Sequence, residues 1–335
     1  MRAITNTSTE RRFAVNVLRD AADSRAVLDE ATSRSLRAAV KELPAVWLYD
    51  ERGSRLYEEI TRLPEYYLPR REGEILRARA PAIAERTQAR TLVELGAGGA
   101  KNTRYLLDAL DVAGTLERFI PFDVSERMLR GSAQAVADAY PRILVQALVG
   151  DFERDLGELP LGGHRLIALL GSTIGNLYPA QRRRLLATLT AALAQDEALL
   201  LGLDLVKDVA RLEAAYNDRR RVTEAFVRNA LARVNEELDA TFDQRRFVYE
   251  PRWDAEHEWM DIGLRARQDH TVSIPGFELD LTFGEGERLR VEISSKFRRD
   301  QFAGEAARAR LRLESWWTDP GGDFAVALLV QDQAD

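Results

Sequence analysis

The chain has 335 residues, 45% of them hydrophobic and 30% charged, with a formal net charge of −6. That length suits two domains with a sizeable core, and the negative charge speaks against a nucleic-acid partner. Cysteine is absent and only three histidines occur, the scattered His164, His257 and His270, which excludes thiol nucleophiles, disulfides and thiolate metal sites.

The polar start, MRAITNTSTERRF, lacks the apolar core of a secretion signal, and residues 1–20 read as partly disordered. The longest apolar stretch, near ALLLGLDLV, is far too short to span a membrane. A cytoplasmic protein without membrane association is expected. A helical region follows over about 22–80, interrupted at Leu43-Pro44 and Leu63-Pro64, because proline restricts its predecessor and donates no hydrogen bond. This region carries Tyr49, Tyr57, Tyr66 and Tyr67. Each suits either packing under a helix end or the lining of a pocket, since tyrosine has an apolar face and a polar tip.

Alternating β and α signals come next. TLVEL (91–95) reads as a buried strand ending in Gly-Ala-Gly-Gly, with a helix after it from about Asn102 to Leu110. FIPFDVS (119–125), ILVQALVGDF (143–152), RLIALLGSTIGN (165–176) and EALLLGLDL (197–205) read as further strands, with helices over about 126–139 and from Pro179 onward. Such alternation predicts a doubly wound parallel sheet with helices on both faces. The pattern then changes. Residues 208–237 read as helical and 246–296 as an antiparallel sheet, with a turn at Gly284-Glu285-Gly286. A helix over about 299–314 and a strand over 324–330 close the chain, and these two could return to the first sheet.

Three strand ends carry chemistry. Gly96-Ala97-Gly98-Gly99 lets a backbone approach a ligand closely, although a tight turn without a ligand has the same appearance. Asp123 can accept both hydroxyls of a ribose, or cap the helix that follows. Asp151 can accept from an adenine amino group while Phe152 packs on the base, or the two can serve as a cap and a core aromatic. Together they point to an adenosine-bearing ligand at the carboxyl ends of the strands. The loop reads GxGG rather than GxGxxG, so the pyrophosphate fingerprint of a dinucleotide is incomplete. This favours S-adenosylmethionine over NAD.

These residues resemble the histidine Nα-methyltransferases of ergothioneine biosynthesis. The matching stretches are LPEYY (63–67), VELGAGGAKNTRYLLDAL (93–110), PFDVSERML (121–129), GDFERDL (150–156), LLGSTIGNL (169–177), LLLGLDLVKD (199–208) and VEISSKFRR (291–299). The resemblance runs from about Leu43 to Phe297. It implies a class I, Rossmann-like methyltransferase domain at 71–204 plus 297–335, and a second α+β substrate-binding domain at 18–70 plus 205–296. It implies S-adenosylmethionine as cofactor and trimethylation of the α-amino group of L-histidine, a small-molecule substrate, to hercynine. A monomer is expected.

The resemblance places the cofactor at Gly96, Asp123, Asp151 and Phe152, with Tyr66 close to the reacting centre. Family members often carry lysine just before the position of Thr103. Here Asn102 stands there and Lys101 one place earlier, so Asn102, Lys101 or a backbone N–H is expected to meet the cofactor's carboxylate. For histidine it implies Tyr49, Tyr66, Asn176, Tyr216, Glu292 and Ser294. Asn176 and Tyr216 would hold the amino-acid end, and Glu292 and Ser294 the imidazole, with Tyr49 nearby. Asn176 could also orient the attacking amine. Ile262 replaces a methionine common in the family; it is similar in volume but stiffer. Alternation along RLRVEIS predicts Leu289, Val291 and Ile293 on one strand face and Arg290, Glu292 and Ser294 on the other. A solvated face would show the same alternation. Three alternatives stay open: a nicotinamide-dependent oxidoreductase, a non-catalytic ligand-binding protein, and an N-methyltransferase making another amino-acid betaine.

Overall fold

Mostly apolar runs of five to seven residues set the six parallel strands of the main sheet. The computed structural model describes residues 13–19, 21–160 and 162–332. In chain order they form β1 (Phe13–Val17), α1 (Ala21–Leu36), β2 (Lys41–Glu42), α2 (Glu51–Ile60), α3 (Leu68–Thr87), β3 (Thr91–Leu95), α4 (Thr103–Val112), β4 (Arg118–Asp123), α5 (Glu126–Ala139), β5 (Leu144–Val149) and α6 (Phe152–Asp155). Then come β6 (Arg165–Leu169), α7 (Pro179–Ala192), β7 (Ala198–Asp204), α8 (Val209–Tyr216), α9 (Val222–Leu238), β8 (Phe247–Asp254), β9 (Trp259–Ala266), β10 (His270–Ile274) and β11 (Leu279–Phe283). The chain closes with β12 (Arg288–Ser295), α10 (Arg299–Arg308), β13 (Leu311–Thr318) and β14 (Phe324–Gln331). Among the described residues no helix is long and apolar enough to cross a membrane.

Eight strands form one sheet in the order β1-β5-β4-β3-β6-β7-β14-β13. The first six run parallel, and β14 enters antiparallel between β7 and β13. Strands β3, β6 and β7 are buried along their whole length because helices cover both faces. The chain leaves β3 toward β4 and β5, then returns to the other side of β3 as β6. That reversal opens a crevice beyond the carboxyl ends of β3 and β6, where sheets of this kind take their ligands. The α/β class and the Rossmann-like arrangement predicted from the sequence are present.

A second sheet has the order β2-β12-β9-β8, beside a two-stranded hairpin of β10 and β11. It is mixed rather than purely antiparallel, since the short β2 pairs parallel with β12. The sheets meet where Leu205 bridges Phe297, with the Phe297 N–H donating to the Asp204 carbonyl at 2.8 Å.

Four details differ from the sequence reading. Of the stretch expected to be disordered, Phe13–Val17 forms β1, an added edge strand parallel to β5; residues 1–12 and 20 lie outside the described residues. The helix expected over 299–314 ends at Arg308, because Arg310 turns left-handed (φ 58°) and Leu311–Thr318 pairs with β14 instead. Helix α3 runs unbroken across residue 70, the expected domain boundary. Finally, β12 carries a bulge between Arg290 and Glu292. Arg290 stands opposite Gly263, whereas Glu292 stands opposite Ile262 and Ser294 opposite Met260. The extra residue flips the alternation. Glu292 and Ser294 do share a face, but Arg290 lies on the other, bonded to Asp261 at 3.1 Å.

The loop after β6 packs against the end of β12 through Gly175. A Cβ at that position would stand 2.9 Å from the Ser295 carbonyl oxygen. Gly175→Ala is therefore expected to destabilise the protein by about 1–3 kcal/mol through overpacking against backbone, measured by urea unfolding.

Candidate active site

The glycine loop leaves β3 with Gly96 at φ 70° and Gly98 at φ 44°, left-handed conformations that favour glycine. The ring of Phe152 lies 3.8 Å from where a Cβ on Gly96 would stand, so these two predicted residues adjoin. Asp123, at the end of β4, accepts from the Gly98 N–H and the Ser125 N–H, both at 2.9 Å. It braces the glycine loop and the start of the next helix together. Burial pushes its carboxyl up, and these N–H bonds oppose part of that shift. Asp151 caps α6 by accepting from the Glu153 N–H at 2.9 Å, and burial raises its pKa too.

Lys101 is exposed. Asn102 is held elsewhere: its amide nitrogen donates to the Pro69 carbonyl at 3.0 Å and to Glu72 Oε2 at 2.8 Å. Both amide hydrogens are thus occupied by α3, which corrects the expectation that Asn102 donates to a cofactor carboxylate.

Two buried carboxylates at this crevice escaped the sequence reading. Glu72 also accepts from the Gly171 N–H at 2.7 Å, and burial pushes its pKa up to about 7. Glu94, the last acidic residue before the glycine loop, accepts from Thr103 through Oε1, while Oε2 is buried without a partner. Burial pushes its pKa up to about 8. A Cβ added at Gly98 or Gly99 would meet nothing within 4 Å. The acidic residue preceding the loop was the available signal for Glu94; nothing local marks Glu72.

The second half of the site lies on the Glu292 face of β12. Glu292 Oε1 accepts from Asn176 Nδ2 at 3.0 Å. Burial pushes the Glu292 carboxyl up to about 7, against the nearby positive charge of Lys296. Ile262 is buried and sits opposite Glu292 in the ladder. Aromatic rings complete the surroundings. Tyr49 packs edge-on to Tyr57 and Phe226 at 5.9 and 5.5 Å between centroids, and Tyr66 packs edge-on to Tyr216 at 6.0 Å. Burial raises the Tyr49 and Tyr66 hydroxyls well above their usual pKa, and the Tyr57 hydroxyl to about 12. These phenols stay neutral.

Tyr216 Oη donates to Ser294 Oγ at 2.8 Å, and Lys296 Nζ donates to both, at 2.8 Å each. Lys296 is itself paired with Asp204 Oδ2 at 2.7 Å. Asp204 also accepts from the Tyr67 hydroxyl at 3.0 Å and pairs with Lys207. The sequence reading assigned Asn176 and Tyr216 to one end of the substrate and Glu292 and Ser294 to the other. The structure pairs them across that division, Asn176 with Glu292 and Tyr216 with Ser294. Lys296 and Asp204 were missed, although Lys296 continues the 292–294 alternation that drew attention to the strand.

Residues 28–331 match the model of the S-adenosylmethionine-dependent, histidine-specific methyltransferases. The chain belongs to this family. It is 48% identical to the histidine N-alpha-methyltransferase of Mycolicibacterium smegmatis over 315 residues, covering 93% of this chain and 97% of that one. It is 46% identical to the enzyme of the same name from Mycobacterium tuberculosis over 296 residues, covering 88% and 92%. Ergothioneine biosynthesis protein 1 of Neurospora crassa is 29% identical over 306 residues, which span 88% of this chain and 33% of that one. The enzyme is therefore an S-adenosylmethionine-dependent methyltransferase. Its crevice fits that cofactor: the unpartnered Glu94 Oε2 and the unobstructed edge at Gly98 and Gly99 leave an acceptor and room beside the loop.

The raised Glu292 carboxyl has a consequence for stability. Its pKa of about 7 lies above the ordinary value of 4.5, so folding favours its protonated form. The stability it contributes is complete below pH 4.5 and is lost as pH rises through 7. Glu292→Gln removes that loss. Without added ligands, the variant is expected to be more stable than wild type at pH 8 by about 1–3 kcal/mol, discounted for partial exposure, with the gap closing toward pH 4.5. Urea unfolding at both pH values checks this.

Proposed function

We propose that the enzyme transfers three methyl groups to the α-amino group of L-histidine, releasing hercynine as the first step of ergothioneine biosynthesis. The observation that carries the substrate is Glu292. It is a partly buried carboxylate facing a cluster of aromatic rings, hydrogen-bonded to Asn176 and standing on the same strand face as Ser294. A buried acceptor of this kind favours a side chain with a ring N–H. Removing one partner of a buried polar pair costs the full desolvation of the other. The names of the mycobacterial and fungal relatives support the same reading.

The proposal divides the labour between two domains, 71–204 with 297–335 for the cofactor and 18–70 with 205–296 for the substrate. The strand β1, outside both ranges, extends the cofactor domain's sheet. Gly96, Asp123, Asp151 and Phe152 hold the cofactor, and Lys101 takes the contact to its carboxylate in place of Asn102. S-adenosylmethionine supplies an electrophilic methyl group on a sulfonium. The residues of the chain supply position, which is where most of the acceleration in a direct displacement arises. Glu292 and Ser294 hold the imidazole with Tyr49 nearby, and Ile262 packs against the ring. Tyr216, bonded to Ser294, reaches from the ring toward the amino-acid end. Asn176, its Nδ2 engaged by Glu292, keeps Oδ1 to accept an N–H from the neutral amine and aim its lone pair. The faces of Tyr66 and its neighbours tolerate the cation that grows as methyl groups accumulate.

Mass spectrometry of reactions with S-adenosylmethionine and a panel of free amino acids tests this. Histidine is expected to gain one, two and then three methyl groups. If histidine stays unmodified while another amino acid is methylated, the substrate is wrong and another betaine is the product. Glu292→Ala is expected to raise KM for histidine at least about tenfold.

A further inference from the structure

Three polar groups at the buried end of the site form a closed triangle. Lys296 Nζ lies 2.8 Å from Tyr216 Oη and 2.8 Å from Ser294 Oγ, and the two hydroxyls are 2.8 Å apart. The remaining ammonium hydrogen goes to Asp204 Oδ2 at 2.7 Å. An ammonium has three donors and no acceptor, so both edges from Lys296 run outward. A phenol is a stronger acid than an aliphatic alcohol, so Tyr216 donates along the third edge. Ser294 Oγ then receives two hydrogen bonds, which fill both its lone pairs. Its own hydrogen finds no acceptor within the triangle. Reversing the third edge only moves that surplus hydrogen to Tyr216.

We infer that Lys296 is a positioning residue that turns the Ser294–Tyr216 corner into a hydrogen-bond donor and so selects a ring presenting an uncharged acceptor nitrogen, namely neutral imidazole. This rests on the reading that Ser294 and Glu292 hold the substrate's ring. Neutral imidazole has one N–H and one bare nitrogen. The N–H suits Glu292 and the bare nitrogen suits Ser294. Imidazolium carries N–H at both positions, so it would set donor against donor close to the Lys296 charge. Indole and phenol rings offer no such nitrogen. Burial disfavours the Lys296 charge, but Asp204 and the bond to Tyr216 outweigh it and hold its pKa above the ordinary lysine value. The polarity of the corner is therefore fixed, whereas a serine without the lysine could either donate or accept.

The test uses histidine and the two pyrrolylalanine isomers, each of which keeps one ring N–H and lacks the acceptor nitrogen. Affinities are measured by calorimetry on the full chain with S-adenosylhomocysteine present. For wild type, the better pyrrole isomer is expected to bind at least about tenfold more weakly than histidine. In Lys296→Met, and in Ser294→Ala, histidine binds more weakly and the ratio falls to about threefold or less. Lys296→Met leaves Asp204 with Lys207 and Tyr67 as partners. A second variant, Asp204→Asn with Lys296→Met, removes both charges and serves if the single change does not fold. A ratio unchanged from wild type in either folded lysine variant overturns the inference, because a purely structural lysine would weaken both ligands alike. Wild-type protein that binds no histidine overturns the substrate reading itself, a result read separately from the ratio.

Discussion

The ion pair between Asp204 and Lys296 is the constraint on which the site depends. Asp204 ends β7 in the large sheet and Lys296 follows β12 in the small one, and both side chains are fully buried. Removing two charges from water is costly, and it is tolerated only when every remaining donor and acceptor is satisfied. Here Asp204 is met by Lys296, Lys207 and Tyr67, while Lys296 reaches Asp204, Tyr216 and Ser294. These bonds fix β12 against β7, in line with the backbone bridge from Leu205 to Phe297. The face bearing Glu292 and Ser294 is thereby held beside the crevice of the large sheet.

A second contact works toward the same end from β6. Asn176 sits at the end of a short turn beyond that strand and donates to Glu292. The turn comes close enough only because Gly175 has no Cβ to strike Ser295. The loop that borders the cofactor crevice thus touches the carboxylate assigned to the substrate ring. The large and small sheets share a wall here, and a shift of either disturbs the other.

Much of this was legible in the sequence because it is local. Strand β3 was placed at its exact limits, and the glycine loop, Asp123 and Asp151-Phe152 could be singled out because each is a short run of consecutive residues at a strand end. What escaped was set by pairing. Residues 311–314 read as a helix continuing from α10, and the pairing with β14 makes them the start of β13 instead. The bulge that separates Arg290 from Glu292 depends on the partner strand β9 and leaves no mark in the alternation. Glu72 reaches the crevice from the second turn of α3, where a glutamate beside Arg70, Arg71 and Glu74 looks like any solvated helical residue. Lys296 and Asp204 are about ninety positions apart in sequence and were joined only by the fold.

The position of β14 has a consequence for how the molecule comes into being. This strand lies inside the large sheet, between β7 and β13, yet it is the last of the described elements in the chain. While the polypeptide is being synthesised, β7 therefore presents an open edge, apolar up to Asp204, for more than a hundred residues. Such an edge invites pairing with other chains. Only when residues 324–331 emerge and pair with both β7 and β13 is that edge closed.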